Sequence, residues 1–383
     1  MMKKLTPFLF LILLAFCGES RSSEKSESGN ILENLTYSID TVVVDPGEEI
    51  INLSTGLRLS DVSQDRSQMY IYSEEEAKLS VIDLDLLQLK GKIPFEKEGP
   101  NGVGNYLWQI SAISEGSLLI GTFQDAAIFD FKGQKLQDIR LDKEDVKGIA
   151  ESKELQNNNL RVSHDLERYY TLPGSVFSME NKMELAVIDR KSLDGKLMTL
   201  PALEINLDFM LTLTSKEITN VQAEDIFLLD QNGRFYISSS ATSDLYEYDP
   251  KADSLQLYSF PIQSIPRSKT DFPGQRKLTD VDVWNAEIEK INTQIRYGPL
   301  LWDDSRQYFF RIASIRKSNA DPEIKAKNDV FLLAFDKDMN LLGETQLEEL
   351  IVTPSYPFFK DGKLWSYVNV EDELGFAVFT FNF

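Results

Sequence analysis

The chain holds one histidine, His164, and it stands directly before Asp165. An imidazole beside a carboxylate suits general-base work when a nucleophile lies within reach. Both residues fall in the short polar run 164–167, however, so the expectation is a turn histidine at the surface. Asp336-x-Asp338-x-Asn340 opens with the spacing of a calcium loop, in which alternate residues offer oxygen. Leu341 replaces the glycine that such a loop needs for its sharp turn, and Leu347 replaces its bidentate glutamate, so no calcium is expected. Gly99, Gly102 and Gly104 lack the following Lys-Ser/Thr and the helix pattern that a phosphate cradle requires. Glu74-Glu75-Glu76 reads as a solvated loop. A structural zinc takes about four Cys or His ligands, and one histidine with one cysteine cannot supply them. The 61 Asp and Glu could furnish a glycosidase pair, but nothing along the chain singles one out.

The 40 Lys and Arg leave a net charge of −21. Phosphate backbones and anionic lipid surfaces are bound through Lys and Arg, so neither is an expected partner. With 42% hydrophobic and 26% charged residues, the composition is that of a folded globular chain.

Lys3 and Lys4 precede an apolar run over 5–16, and Cys17 follows at once. Twelve residues are too few to span a bilayer as a helix, and a basic start with a short apolar run reads as a secretory signal. The stretch Leu14-Ala15-Phe16-Cys17 resembles a bacterial lipobox, although Phe16 stands where a small residue is usual. That resemblance implies lipidation of the Cys17 thiol and cleavage before it. The alternative is a signal cut elsewhere. Residues 18–30 hold five Ser, three Glu and two Gly and read as a flexible tether. The expected organisation is therefore a signal peptide and lipobox over 1–17, a tether over 18–33 and one folded domain over 34–383, held at the bacterial cell envelope on the outer membrane by the lipid alone.

What must position any chemistry is a repeat. A hydrophobic residue followed by Asp closes a short apolar run at Ile82-Asp83, Phe129-Asp130, Ile188-Asp189, Tyr248-Asp249 and Phe335-Asp336. Upstream of each lies a polar turn, at 64–67, 114–117, 164–167, 230–233 and 303–306, with a sixth at 360–362. A second apolar run follows each turn. Such units cannot bury their apolar faces alone and must pack on one another. Each reads as four short antiparallel strands, A to D, which predicts an all-β six-bladed β-propeller. The sixth unit stops after strand C, whereas 35–44 is a strand-like segment with no partner of its own. Pairing the two closes the ring and removes the exposed edge. An open array or two sandwiches are the alternatives.

The lipobox-like start, the loop Glu98-Gly99-Pro100-Asn101-Gly102 and the repeated hydrophobic-Asp resemble bacterial six-bladed β-propeller lipoproteins of a family of unknown function. The resemblance implies a fold and a location, and no activity. Ser63-Gln64-Asp65-Arg66-Ser67 resembles the Asp-box of sialidase propellers, which is a structural turn and implies no catalysis.

In such a meander the B–C and D–A loops share one face. The long segments 142–159, 173–184, 261–296 and 314–329 all map to it, and a decorated face is commonly where repeat proteins bind. Within 261–296, Val281, Trp284, Ile288, Ile291 and Ile295 have helical spacing and Thr279-x-x-Asp282 looks like a capping box. This predicts one inserted helix near 280–296 that lays its apolar stripe on the domain. Trp284 and Tyr297 are the candidate residues of a ligand or partner face. The functional expectation is a tethered module that binds an extracytoplasmic ligand or protein through this face, with no cofactor, metal or catalytic residue assigned. The alternatives are an extracellular hydrolase or lyase using Asp/Glu chemistry in the funnel and a structural subunit of an envelope complex.

Overall fold

The computed structural model describes residues 29–113, 116–141, 145–149, 155, 159–174, 182–215, 219–317 and 327–383. The architecture is all-β. A first strand, β1 (Thr36–Val43), precedes sheet one, which contains β2 (Ser60–Val62), β3 (Gln68–Ser73), β4 (Lys78–Asp83) and β5 (Gln88–Pro94). Sheet two holds β6 (Leu107–Ile113), β7 (Ser117–Thr122), β8 (Ala126–Asp130) and β9 (Lys135–Ile139). Sheet three holds β10 (Arg161–Val162), β11 (Arg168–Thr171), β12 (Glu184–Asp189) and β13 (Gly195–Thr199). A one-turn helix α1 (Ile205–Asp208) and a hairpin, β14 (Leu211–Thr214) and β15 (Thr219–Gln222), come next. Sheet four holds β16 (Ile226–Gln231), β17 (Arg234–Ser239), β18 (Leu245–Asp249) and β19 (Ser254–Tyr258). It is followed by β20 (Lys277–Leu278) and helix α2 (Val281–Asn292). Sheet five holds β21 (Ile295–Asp303), β22 (Tyr308–Arg316), β23 (Asn328–Phe335) and β24 (Leu341–Gln346), and β25 (Phe358–Lys360), β26 (Lys363–Val370) and β27 (Glu373–Asn382) complete the chain.

Sheets one to five are simple antiparallel meanders in chain order. The last sheet runs β25-β26-β27-β1, so the first strand of the chain pairs with the last, from Thr36 opposite Asn382 to Val43 opposite Gly375. The pairing expected for residues 35–44 is thus present.

The second strand of each sheet is apolar without alternation because both of its faces are buried. Successive side chains leave a strand on opposite sides, so Tyr169 enters the core between sheets two and three and Tyr170 the core between three and four. Tyr170 stacks on Phe235 at 4.0 Å between ring centroids. Phe309 and Phe310 divide in the same way, the first meeting Tyr236 of sheet four and the second stacking on Phe359 of the last sheet. Phe95 and Phe129 fill the core between sheets one and two. Trp365, Phe376 and Val378 pack with Met69, Ile71 and Ile82, which joins the last sheet to the first.

The recurring hydrophobic-Asp pair has a local cause. Its apolar residue is core, and its carboxylate caps the turn into the fourth strand by accepting backbone N–H groups two to four residues on. Asp83 accepts from Asp85 and Leu86, Asp130 from Lys132 and Gln134, and Asp189 from Lys191 and Ser192. Asp249 accepts from Lys251 and Ala252, and Asp336 from Asp338 and Asn340. The calcium-like spacing at 336–340 is therefore one of these caps. The glycine-rich loop at 99–102 is a tight turn in which the Gly102 N–H donates to the Gly99 carbonyl. A Cβ on Gly102 would lie 2.8 Å from the Glu98 backbone, and Asn101 Nδ2 ties the loop to Gln134.

Two insertions between sheets meet to form a small layer. β14 pairs antiparallel with β15 and parallel with β20, and α2 packs Ile291 into a cluster with Phe209, Leu211 and Ala241. The helix is capped by Asp280, whose side chain accepts from Asp282 and Val283, and not by the expected Thr279. It ends at Asn292 rather than near 296, because Ile295 already belongs to β21, which pairs along its length with β22.

Candidate functional site

The first strand of every sheet contributes to one cavity of about 590 Å³. Asp61 comes from β2, Ser111 from β6, Arg161 from β10, Asp230 from β16, Asp303 from β21 and Lys360 from β25. The turns between first and second strands surround the opening and bring His164 and Asp304 to it, and Arg66 lines both the cavity and its adjoining lobe. An adjoining lobe of about 210 Å³ is lined by Phe227, Tyr236, Leu300 and Phe358. This cavity opens on the face opposite to that carrying the insertions.

The turn at 63–67 is built around Asp65. Its carboxylate accepts from the Ser63 and Ser67 hydroxyls and the Ser67 N–H, and Ser63 Oγ accepts from the Gln68 N–H. These bonds hold the Asp65 carboxylate below its usual range. The turn at 163–167 repeats the pattern with Ser163, Asp165 and Glu167. Arg66 sits in the left-handed region at φ 60°, a sparsely populated conformation outside glycine, and its side chain lines the cavity.

Asp61 lies within electrostatic reach of Arg66 and Arg161. It accepts the Val62 and Ala112 backbone N–H groups, each at 2.8 Å. Burial nevertheless pushes its carboxyl above the ordinary value, against those hydrogen bonds and the two cations. Burial also lowers the pKa of both guanidiniums. Arg161 donates to the Gln109 side chain and the Leu160 carbonyl. Among the described residues, neither Arg66 nor Arg161 has a carboxylate within 4.0 Å. Two guanidiniums and the Asp61 carboxylate thus meet in the cavity, with Asp65 also within electrostatic reach of Arg66.

The mouth is acidic. His164 donates its backbone N–H to Asp230 at 2.9 Å and sets Nδ1 3.5 Å from the same carboxylate. Burial raises the Asp230 carboxyl, opposed by His164. His164 is thus joined to Asp230 across to sheet four. Asp303 is engaged by Arg306 at 2.6 Å and Lys360 by Asp85 at 2.5 Å, whereas among the described residues Asp304 accepts only from the neutral Trp302 and Gln307 side chains.

The residues expected to form a ligand face lie elsewhere. Tyr297 is fully buried, donates its hydroxyl to the Pro266 carbonyl at 2.8 Å and lies under Arg311. It presents nothing to a partner, because its alternation along β21 turns it into the core between sheets four and five. Trp284 is half-buried against the Phe209 cluster. Cys17 lies outside the described residues, as does much of 142–159, 173–184 and 314–329. On the insertion face, Tyr106 is 88% and Trp108 57% exposed, the latter at a bulge in β6. Asp61, Arg66, Arg161 and Asp230 escaped the sequence reading, yet each lies in or within three residues of a turn that it located.

Residues 28–346 match the family described as a domain of unknown function, DUF4221. The chain belongs to this family. A solved member from Bacteroides vulgatus is 12% identical, with a TM-score of 0.63 over 91% of this chain and 98% of its own, which establishes the shared fold. A putative exported protein from Bacteroides fragilis is 10% identical, with a TM-score of 0.48 over 93% and 97%. The β-propeller domain of Cps50 (Swd1) from Myceliophteria thermophila gives 8% identity and a TM-score of 0.37 over 90% and 99%. No curated protein matches the chain. Among the described residues no helix is long and apolar enough to cross a membrane.

Proposed function

We propose that this family member is a lipid-anchored, extracytoplasmic six-bladed β-propeller that binds a small ligand in its axial cavity. The blade count is supported by six four-stranded sheets and by six cores that run in cyclic order, the last sheet packing on the first. Lipid anchoring is supported by Lys3, Lys4, the apolar run and Cys17, and the outer membrane is the proposed place of the anchor. Ligand binding is carried by one observation: Arg66 and Arg161 converge on a cavity built from all six innermost strands, with no carboxylate within 4.0 Å of either among the described residues. Structural arginines are ordinarily satisfied by acids or carbonyls, and a cavity that holds convergent charged groups is the default ligand site. No catalytic role is assigned.

Ser111→Trp tests the reading by filling the cavity from β6. A fragment set of sugars, amines, carboxylates and uncharged heterocycles is screened by ligand-observed NMR against both proteins. Signals that vanish with Ser111→Trp, at an unchanged melting temperature, support the axial site. Identical hit sets reject it. A second reading, protein docking on the insertion face, is favoured by the exposure of Tyr106 and Trp108, since exposed aromatics are enriched at interfaces.

A further inference from the structure

We infer that the ligand of the axial cavity is an uncharged polyol of the saccharide class, its hydroxyls held among Asp61, Arg66 and Arg161 and its apolar side turned to the adjoining lobe. This rests on the reading that the axial cavity is a ligand site. Two observations carry it. Charges of both signs are interleaved in the cavity, and the residues where it meets an apolar lobe keep unspent donors and acceptors.

Several of the charged groups lining the cavity are already engaged. Asp303 holds Arg306, Lys360 lies between Asp85 and Asp361, and Asp230 faces His164. Asp61, Asp65, Asp304, Arg66 and Arg161 line the same cavity with no ion partner within 4.0 Å among the described residues. These five are not segregated by sign. Arg66 follows Asp65 in one turn and lies within electrostatic reach of both Asp65 and Asp61, and Asp61 lies within reach of Arg161. An anion entering among them meets Asp61 and Asp65, and a cation meets two guanidiniums. Neither sign of ligand gains a clear advantage.

The capacity for hydrogen bonds selects further. Each Asp61 oxygen accepts one backbone N–H, and a carboxylate oxygen has room for about two. The Arg66 guanidinium makes no hydrogen bond among the described residues, and Arg161 spends one terminal nitrogen on Gln109 and Leu160. A ligand group set between such an acceptor and such donors must accept and donate at once. A carboxylate only accepts and an ammonium only donates, whereas a hydroxyl does both through one oxygen. Burial raises the Asp61 carboxyl, and a hydroxyl suits either state, donating to the carboxylate and accepting from the acid.

Asp61 and Arg66 line both lobes. The larger, about 590 Å³, has the size of a small-ligand site. The smaller is walled by Phe227, Leu300, Trp302 and Phe358. A sugar ring carries hydroxyls around its edge and C–H bonds on its faces, so it matches a polar wall that adjoins an apolar one. An apolar group on its anomeric oxygen would enter the smaller lobe.

Isothermal titration calorimetry on the folded protein tests this with the methyl and phenyl glycosides of glucose, galactose and mannose, and with the uronates and 2-amino sugars of the same rings. At least one methyl glycoside is expected to bind wild type, with equal affinity at low and high salt because the ligand carries no charge. Its uronate and its 2-amino form are each expected to bind at least tenfold more weakly, since each buries a charge against Asp61 and Asp65 or against the guanidiniums. Arg66→Gln and Arg161→Gln are each expected to weaken the neutral sugar at least tenfold, and circular dichroism melts confirm that each variant is folded. The phenyl glycoside is expected to bind at least threefold more tightly than the methyl one. The proposal is overturned if no methyl glycoside binds, if a charged sugar binds as well as its neutral parent, if both folded arginine variants bind unchanged, or if the phenyl group adds nothing. Inert glycosides together with other fragments displaced by Ser111→Trp would leave the axial site standing and remove the polyol. No Ser111→Trp-sensitive fragment of any kind would remove both.

Discussion

Replacing Lys269 by methionine should destabilise the protein more than any surface change. Lys269 and Glu224 are each 1% exposed and meet at 2.6 Å. The ammonium also donates to the Ile291 carbonyl in α2 at 3.3 Å, and the carboxylate accepts from Ser240 Oγ at 2.5 Å. Burial pulls the Lys269 pKa down, and the Glu224 charge pulls it back up. Lys269→Met keeps the volume of the stem and deletes the charge, leaving Glu224 buried with only Arg296 at 3.9 Å as a cation. Breaking a buried pair on one side costs about 3–5 kcal/mol. With an unfolding entropy of roughly 2 cal/mol/K per residue over about 350 folded residues, that corresponds to a fall in melting temperature of about 4–7 °C. Glu224→Gln in the same background removes the stranded charge and should recover about 2 kcal/mol, the coupling read from a double-mutant cycle in urea. Amide exchange should accelerate in α2 first, because the lysine holds the end of that helix. A loss below 1 kcal/mol for Lys269→Met, or additivity of the two changes, would refute the account of this pair as the fastening of the inserted layer.

Other expectations can be checked with the same material. Asp249→Ala removes the acceptor for the Lys251 and Ala252 N–H groups and should cost about 1 kcal/mol in urea titration, with Asp249→Asn losing less. Backbone donors hold the folded pKa of Asp189 and Asp249 below the ordinary value of 3.8. The caps therefore stabilise fully above that value and lose their contribution as pH falls through the lower folded value, so the Asn variants should flatten acid unfolding below about pH 4. Deleting 18–29 should leave the melting temperature unchanged, whereas deleting through Val44 should expose the β27 edge and produce aggregates in light scattering. Cys17→Ser should move the protein from the detergent phase to the aqueous phase with an unchanged melting curve, and continued detergent partitioning would refute lipidation.

The repeat was readable because each unit is written locally. Polar turns such as 230–233 and caps such as Asp249 act within four residues, and the buried second strands are unbroken apolar runs like Phe235–Ile237. The hairpin β14–β15 is also written locally, as the alternation Leu211-Thr212-Leu213-Thr214, but it lies outside the repeat, so no unit predicts it. The helix was found and overrun, since Ile295 continues the helical spacing while β22 offers it a ladder of hydrogen bonds. The site was not readable. Asp61, Arg66, Arg161 and Asp230 come from three sheets, and no local pattern distinguishes an arginine aimed at the axis from one aimed at solvent. Tyr297 shows the converse error, an aromatic beside a conspicuous insertion that strand alternation sends inward.

The pairing of Thr36–Val43 with Glu373–Asn382 also sets an order of events. A chain delivered from its N-terminus presents β1 first and must hold it unpaired until β27 arrives, nearly the whole length later. Five sheets can form from neighbours in sequence, each closing short loops at small entropic cost. The sixth joins the two extremes of the fold, so the pairing of β1 with β27 is expected to be the slow final step and the folding rate to follow that one long-range contact. During that interval β27 is an open edge beside Phe379 and Phe381, which makes this seam, and not the axial cavity, the place where a holding chaperone would act.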